Sequence, residues 1–309
     1  MDKKMLLRKL LYVLVISFLP FSCSSDDEDI EEPIAAIEYP EQKPILGDSV
    51  RVVVLGNSFS VDATAYLNDL VMAAGLDTTR MCVYNGCING GSFADWLELY
   101  QTGEKKTFTK MAGGGAAVIY EPVSDVLKRP WDVCVLVQSS AVSYSWSSFE
   151  TVAEQLVALV RTECPNKQIT LAYAMPWSHT VKSHPREWKG NIDCAIKMSQ
   201  FYGVRVIPVG TAVQNARDTR LENGMYLTRD NWHLCHGVGR YIAACTWFQV
   251  LFGDAFHVSV LDNTAIHPLT EAEAGETGSV AVDDTNRRLC QQCACEAVKS
   301  PFAISDLQE

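Results

Sequence analysis

From residue 50 onward, short apolar-rich runs alternate with stretches whose apolar residues recur every three or four positions. The runs at 50–55, 79–84, 133–137, 168–174 and 204–208 are of the first kind, and 133–137 holds no polar side chain but a thiol. An apolar run without polar alternation predicts a strand buried on both faces. The spacing predicts helices over 61–74, 93–100, 149–161, 188–202 and 237–252. Ala65, Leu67, Leu70, Val71 and Ala74 mark the first, and Gly75, Gly203 and Gly253 act as stops. The Gly-rich 112–118 predicts a flexible loop passing into an extra strand. Strands separated by helices imply βαβ units and an α/β fold with a doubly wound parallel sheet. Such sheets bind ligands at the carboxyl ends of their strands, here just after residues 55, 84, 137, 174 and 208. No linker divides residues 45–300, so 49–309 is expected to be a single domain.

The N-terminus breaks this pattern. Lys3, Lys4, Arg8 and Lys9 precede an apolar run from Leu10 to Leu19. A run this short is too short to cross a bilayer, which takes about 20 residues. A basic segment followed by a short apolar core predicts a secretory signal over 1–22. Ser22-Cys23 at the end of that core resembles a bacterial lipobox, in which the Cys becomes the first residue and is lipidated. Six acids then fall within residues 26–32. A Ser/Asp/Glu tract after a lipidated Cys resembles the surface-export signal of Bacteroidetes-type lipoproteins. Physically, 23–48 is a solvated, self-repelling tether. The expected location is therefore exported, on the outer membrane or cell surface, with a lipid at Cys23 as the membrane contact.

Composition narrows the remainder. Of 309 residues, 48% are apolar and 20% charged, which excludes a disordered chain and a multi-span transporter. The net charge of −11 argues against nucleic-acid partners. Ten cysteines remain after Cys23, and an even number in an exported chain permits disulfides. Cys134 and Cys245 sit inside apolar runs and suit buried thiols. Cys290, Cys293 and Cys295 have metal-like CxxCxC spacing, but no second cluster supplies a fourth ligand, so a local disulfide or free thiols fit better than a metal.

Chemistry concentrates at two places. Gly56-Asn57-Ser58 directly follows the first strand, which puts a hydroxyl at the sheet's carboxyl edge, beside a helix start. An ordinary helix cap has the same sequence signature. Near the other end, Asp230-Asn231-Trp232-His233 places a carboxylate and an imidazole on one turn, where the first can orient the second for proton transfer. Neither the G-x-S-x-G elbow nor a Walker-type phosphate loop is present.

Together these segments resemble the SGNH/GDSL hydrolase superfamily, in a branch found among Bacteroidetes-type lipoproteins. The resemblance covers roughly 50–255. Gly56-Asn57-Ser58 matches the Gly-Asp-Ser block with Asn57 in place of Asp, and Asp230 with His233 matches the Asp-x-x-His block. Cys87-Ile88-Asn89-Gly90-Gly91-Ser92 falls where an oxyanion-hole glycine belongs. Gly90 is the better match and Gly91 the second. The Gly-x-Asn-Asp block departs, because Val137-Gln138-Ser139-Ser140 stands there without Asn, and Gln138 is the amide available in its place.

The resemblance implies a three-layer sandwich of SGNH/flavodoxin-like architecture and a serine esterase that needs no cofactor or metal. Ser58, His233 and Asp230 would be its catalytic residues. Ser58, Gly90 and Gln138 would form its oxyanion hole. Asn57 and Trp177 are candidate substrate-binding residues, with packing as the alternative for Trp177. His236 suits a helix surface better than a second base. Arg217, Arg220 and Arg229 suit ion pairs better than capture of a carboxylated sugar. The expected substrate is an acylated glycan, most simply an O-acetyl ester. A lipid or aryl esterase, a thioesterase and a decayed glycan-binding lipoprotein are the alternatives, the last favoured by Asn57 and the missing Asn.

Overall fold

The computed structural model describes residues 40–179, 184–222 and 224–307. The basic leader, Cys23 and the acidic tract lie outside the described residues. Strand β1 (Val50–Gly56) forms the centre of a seven-stranded sheet. Val50, Val52 and Val54 enter one apolar cluster, while Val53 and Leu55 enter another on the opposite face. All five are fully buried, which is why this stretch shows no polar alternation.

Four strands run parallel to β1. They are β2 (Met81–Cys87), β5 (Val133–Leu136), β6 (Thr170–Ala174) and β7 (Arg205–Ile207), in the order β2-β1-β5-β6-β7. The chain leaves β1 for β2 on one side and returns to β5 on the other. The crevice between those exits is the topological switch point.

Helices cover both faces. One layer contains α1 (Ser58–Thr64), α2 (Leu67–Ala73), α7 (Val209–Arg217), α8 (Val238–Phe248) and α11 (Arg287–Lys299). The other contains α3 (Phe93–Thr102), α4 (Val123–Leu127), α5 (Glu150–Glu163) and α6 (His184–Tyr202). Short helices α9 (Asp254–Phe256) and α10 (Glu271–Ala274) follow α8. The expected three-layer α/β architecture is observed. None of the described helices is long and apolar enough to cross a membrane.

The differences from the sequence pattern have physical causes. The Gly-rich segment is the turn of an antiparallel hairpin, β3 (Lys105–Ala112) and β4 (Gly115–Pro122), which extends the sheet beyond β2. Gly113 and Gly114 both adopt positive φ, as a two-residue hairpin turn requires. The helix expected over 61–74 breaks between α1 and α2, where Tyr66 turns inward, stacks on His267 at 3.7 Å and accepts the Gly237 N–H. Helix α7, not predicted from the sequence, carries Val209, Ala212, Val213 and Ala216 at helical spacing, and Val209 through Ala216 are all buried. The CxxCxC segment is one face of α11, packed on α7 and α8. Cys290, Cys293 and Cys295 are buried there as small core residues, and burial pushes the Cys295 thiol up to about 11.

Candidate active site

Strand β1 ends in a tight turn. A Cβ on Gly56 would stand 2.2 Å from Ser60 Oγ and 3.2 Å from the Gly86 carbonyl, so only glycine fits. Asn57 caps α1, with its Oδ1 accepting the Phe59 N–H at 3.0 Å. Its Nδ2 donates to the carbonyls of Gly91 (2.9 Å) and Gln138 (3.2 Å). One buried amide thus ties the Ser58 turn to the loops following β2 and β5. Losing such a cap alone costs about 1 kcal/mol.

The segment 228–234 is a closed loop. Thr228 bridges Leu234, and the Arg229 N–H donates to the His233 carbonyl at 2.9 Å. Asn231 takes a left-handed φ of 67° to make the reversal. Asp230 Oδ1 accepts the N–H groups of Trp232 (3.0 Å) and His233 (2.7 Å). Its Oδ2 lies 2.7 Å from His233 Nδ1. On the far side of the ring, His233 Nε2 lies 2.9 Å from Ser58 Oγ. Partial burial alone would raise the Asp230 pKa. The hydrogen bonds from the His233 ring and from the His233 and Trp232 backbone more than offset this and hold it below the usual carboxylate range. An ionised Asp230 fixes the proton on His233 Nδ1 and leaves Nε2 as the acceptor for the serine proton.

The Ser58–His233 pair opens onto a cleft of ≈590 Å³ at the switch point. Asn89 and Gly90 form one wall, Ser139, Ser140 and Ala141 another, and Phe59 and Trp232 add apolar surface. Gly90 therefore lines the same cleft as Ser58. Gly91 is buried behind it, with its carbonyl engaged by Asn57.

Gln138 is fully buried, one residue behind the Ser139 wall. Its Oε1 accepts the N–H groups of Phe93 (3.1 Å) and Ser139 (2.8 Å), which fixes the amide's orientation. Its Nε2 is buried without a hydrogen-bond partner among the described residues. An uncommitted buried donor calls for a reason, because leaving one unpaired costs about 1–3 kcal/mol.

Both expected substrate contacts are corrected. Asn57 is 2% exposed and spends its amide on the backbone, so it braces the turn and does not face the cleft. Trp177 is also 2% exposed. It stacks on Phe59 at 3.9 Å and 8° and donates Nε1–H to the Trp232 carbonyl at 2.8 Å. The exposed aromatic ring on the cleft is Trp232, 48% exposed, with its inner side against the His179 ring at 4.0 Å. His179 is in turn held through Nδ1 by Glu187 at 3.2 Å. Trp232 lies inside the Asp-x-x-His block, and that position was the available signal.

The neighbouring cations are structural. Arg217 is partly buried and donates to Ser178 and to the carbonyls of His179 and Tyr226, and desolvation lowers its pKa to about 10. Arg220 donates to the Thr285 carbonyl, and Arg229 pairs with Asp62. His236 is not on a helix surface: it is 8% exposed and lies between Glu273 (3.2 Å) and Glu276 (3.1 Å). Among the described residues, no three His, Cys, Asp or Glu side chains group to hold a metal.

Comparisons place the chain in a family. A DUF4886 family protein from Bacteroides uniformis, of known crystal structure, is 25% identical, with a TM-score of 0.70 over 84% of this chain and 98% of that one. Axe2, an acetylxylan esterase from Geobacillus stearothermophilus, is 12% identical, with a TM-score of 0.48 over 67% and 96% of the two chains. LAE5, an α/β hydrolase enzyme from the metagenome of Lake Arreo, is 12% identical, with a TM-score of 0.47 over 65% and 94%. No curated protein matches the sequence. The family model described as "Domain of unknown function (DUF4886)" matches residues 51–273, most of the chain, and the protein belongs to that family.

Proposed function

We propose that the protein is a serine esterase of the SGNH kind that hydrolyses small acyl esters, most simply O-acetyl groups, on complex carbohydrate. The observation that carries this reading is the unbroken line from Asp230 through His233 to Ser58, with contacts of 2.7 and 2.9 Å, opening onto a cleft. Ser58 Oγ attacks the ester carbonyl carbon while its proton passes to His233 Nε2. Asp230 stabilises the imidazolium. The Ser58 and Gly90 N–H groups and the Gln138 amide donate to the oxyanion, each worth about 2.7–4 kcal/mol of barrier. When the carbon–alkoxy bond breaks, Nε2 returns the proton to the leaving alcohol. Water, deprotonated by the same nitrogen, then attacks the acyl-enzyme and releases the carboxylic acid and free Ser58.

The carbohydrate part draws on Trp232, a half-exposed indole at the cleft suited to stack on a sugar face. Acetate release from acetylated xylan and from p-nitrophenyl acetate tests the whole reading. Ser58→Ala should lower kcat by on the order of 10⁶-fold. Equal rates for wild type and variant would sink it. The surface-anchored part rests on the basic leader, Ser22-Cys23 and the acidic tract. Cys23→Ala should move the protein from the membrane fraction to the soluble one, and a variant that stays membrane-bound removes the anchor from the proposal.

A further inference from the structure

We propose that Asp62 is a positioning residue that sets the distance between the nucleophile and its base. The inference rests on the esterase reading, in which Ser58 and His233 are the reacting pair. Asp62 stands four residues after Ser58 on α1, on the same side of the helix, and is 1% exposed. A carboxylate this deep is kept only where its charge is matched. Two guanidiniums match it. Arg229 places Nη1 and Nη2 each 3.2 Å from Oδ1, and Arg240 of α8 places Nε at 3.0 Å and Nη2 at 2.8 Å from the same oxygen. Oδ2 accepts the Leu234 N–H at 2.9 Å.

Arg229 and Leu234 are the two ends of the loop that carries Asp230 and His233. Arg229 Nη1 also reaches the Leu234 carbonyl. One carboxylate on the nucleophile's helix therefore grips both ends of the acid–base loop. The loop fixes its own Asp230–His233 contact internally, through Asp230 and the backbone. Its distance from α1 is a separate degree of freedom, and Asp62 is the group that spans it. A displacement of 1 Å between reacting groups costs about 10²-fold in rate.

The test uses the full chain with p-nitrophenyl acetate and, separately, labelling of Ser58 by a fluorophosphonate. Asp62→Asn should lower kcat about 10²-fold at unchanged KM and slow labelling in step. Asp62→Glu should recover part of the loss. If Asp62→Asn does not fold, Arg229→Lys keeps the charge while removing the fork that reaches Leu234, and it should show the same kcat-only loss. A folded Asp62→Asn, or in its place a folded Arg229→Lys, with wild-type kcat overturns the inference. Wild type that neither hydrolyses nor labels overturns the esterase reading instead, so the two failures are distinct.

Discussion

The turn that carries Ser58 and the loop that carries Asp230 and His233 meet at 2.9 Å, yet different forces hold them. The Ser58 turn belongs to the sheet. It begins at a fully buried strand, continues into a helix and is laced to the adjacent loops by neutral hydrogen bonds from Asn57. The acid–base loop has no strand ladder behind it beyond the single Thr228–Leu234 bridge. Three residues in or beside it, Tyr226, Leu227 and Asn231, adopt left-handed φ of 54°, 61° and 67°. For residues as large as Tyr and Leu such angles cost about 1–3 kcal/mol each, and they persist only where the surroundings impose them. Here Arg217, Arg229 and Asp62 impose them, through donors to the Tyr226 carbonyl and the grip on Leu234. One half of the site is therefore positioned by regular structure and the other by buried charge. Breaking a buried ion pair costs about 3–5 kcal/mol, far more than losing a cap.

The sharpest test of the loop half is Asp230→Asn. Oδ1 already accepts two backbone N–H groups, so the substituted amide must keep its oxygen there and turn its NH₂ toward His233 Nδ1. The imidazole then carries its proton on Nε2 and donates to Ser58 when it should accept. With the loop geometry kept, kcat should fall by about 10⁴-fold while the thermal midpoint changes little. A loss below tenfold at neutral pH would show that the carboxylate does not set the tautomer.

How much of this the sequence carried follows the same division. The parallel core was legible because both-face burial leaves apolar-rich runs. Ser58 was legible because it directly follows the central strand, and the Asp230–His233 pair because it is local in sequence. The supports were not. Asp62 reads as an ordinary helix carboxylate until folding brings Arg229 and Arg240 against it across more than 160 residues. Trp177 and Trp232 look equally suited to a ligand in sequence, and only burial separates them. Helix α7 did leave a signal, Val209, Ala212, Val213 and Ala216 at helical spacing, but it is only nine residues long and follows directly on the apolar run of β7. In α11, cysteines serving as small core residues resemble a ligand motif.

A smaller effect probes the sheet half, at the position where the block pattern departs. Gln138→Glu keeps the oxygen that accepts the Phe93 and Ser139 N–H groups and replaces only the Nε2 donor. The backbone brace should survive, so any change reports on the uncommitted NH₂. If that group turns its hydrogens to the oxyanion, kcat should fall by about 10²–10³-fold with KM nearly constant, the size expected for one lost donor. An activity close to wild type would assign Gln138 to bracing alone and leave the Ser58 and Gly90 N–H groups as the oxyanion donors. The comparison with Asp230→Asn then ranks the halves. On the esterase reading, the loop would supply proton transfer, for which the described residues of the cleft offer no second base, while the sheet half would spread charge stabilisation over several donors, so the loss of any one of them would be only partial.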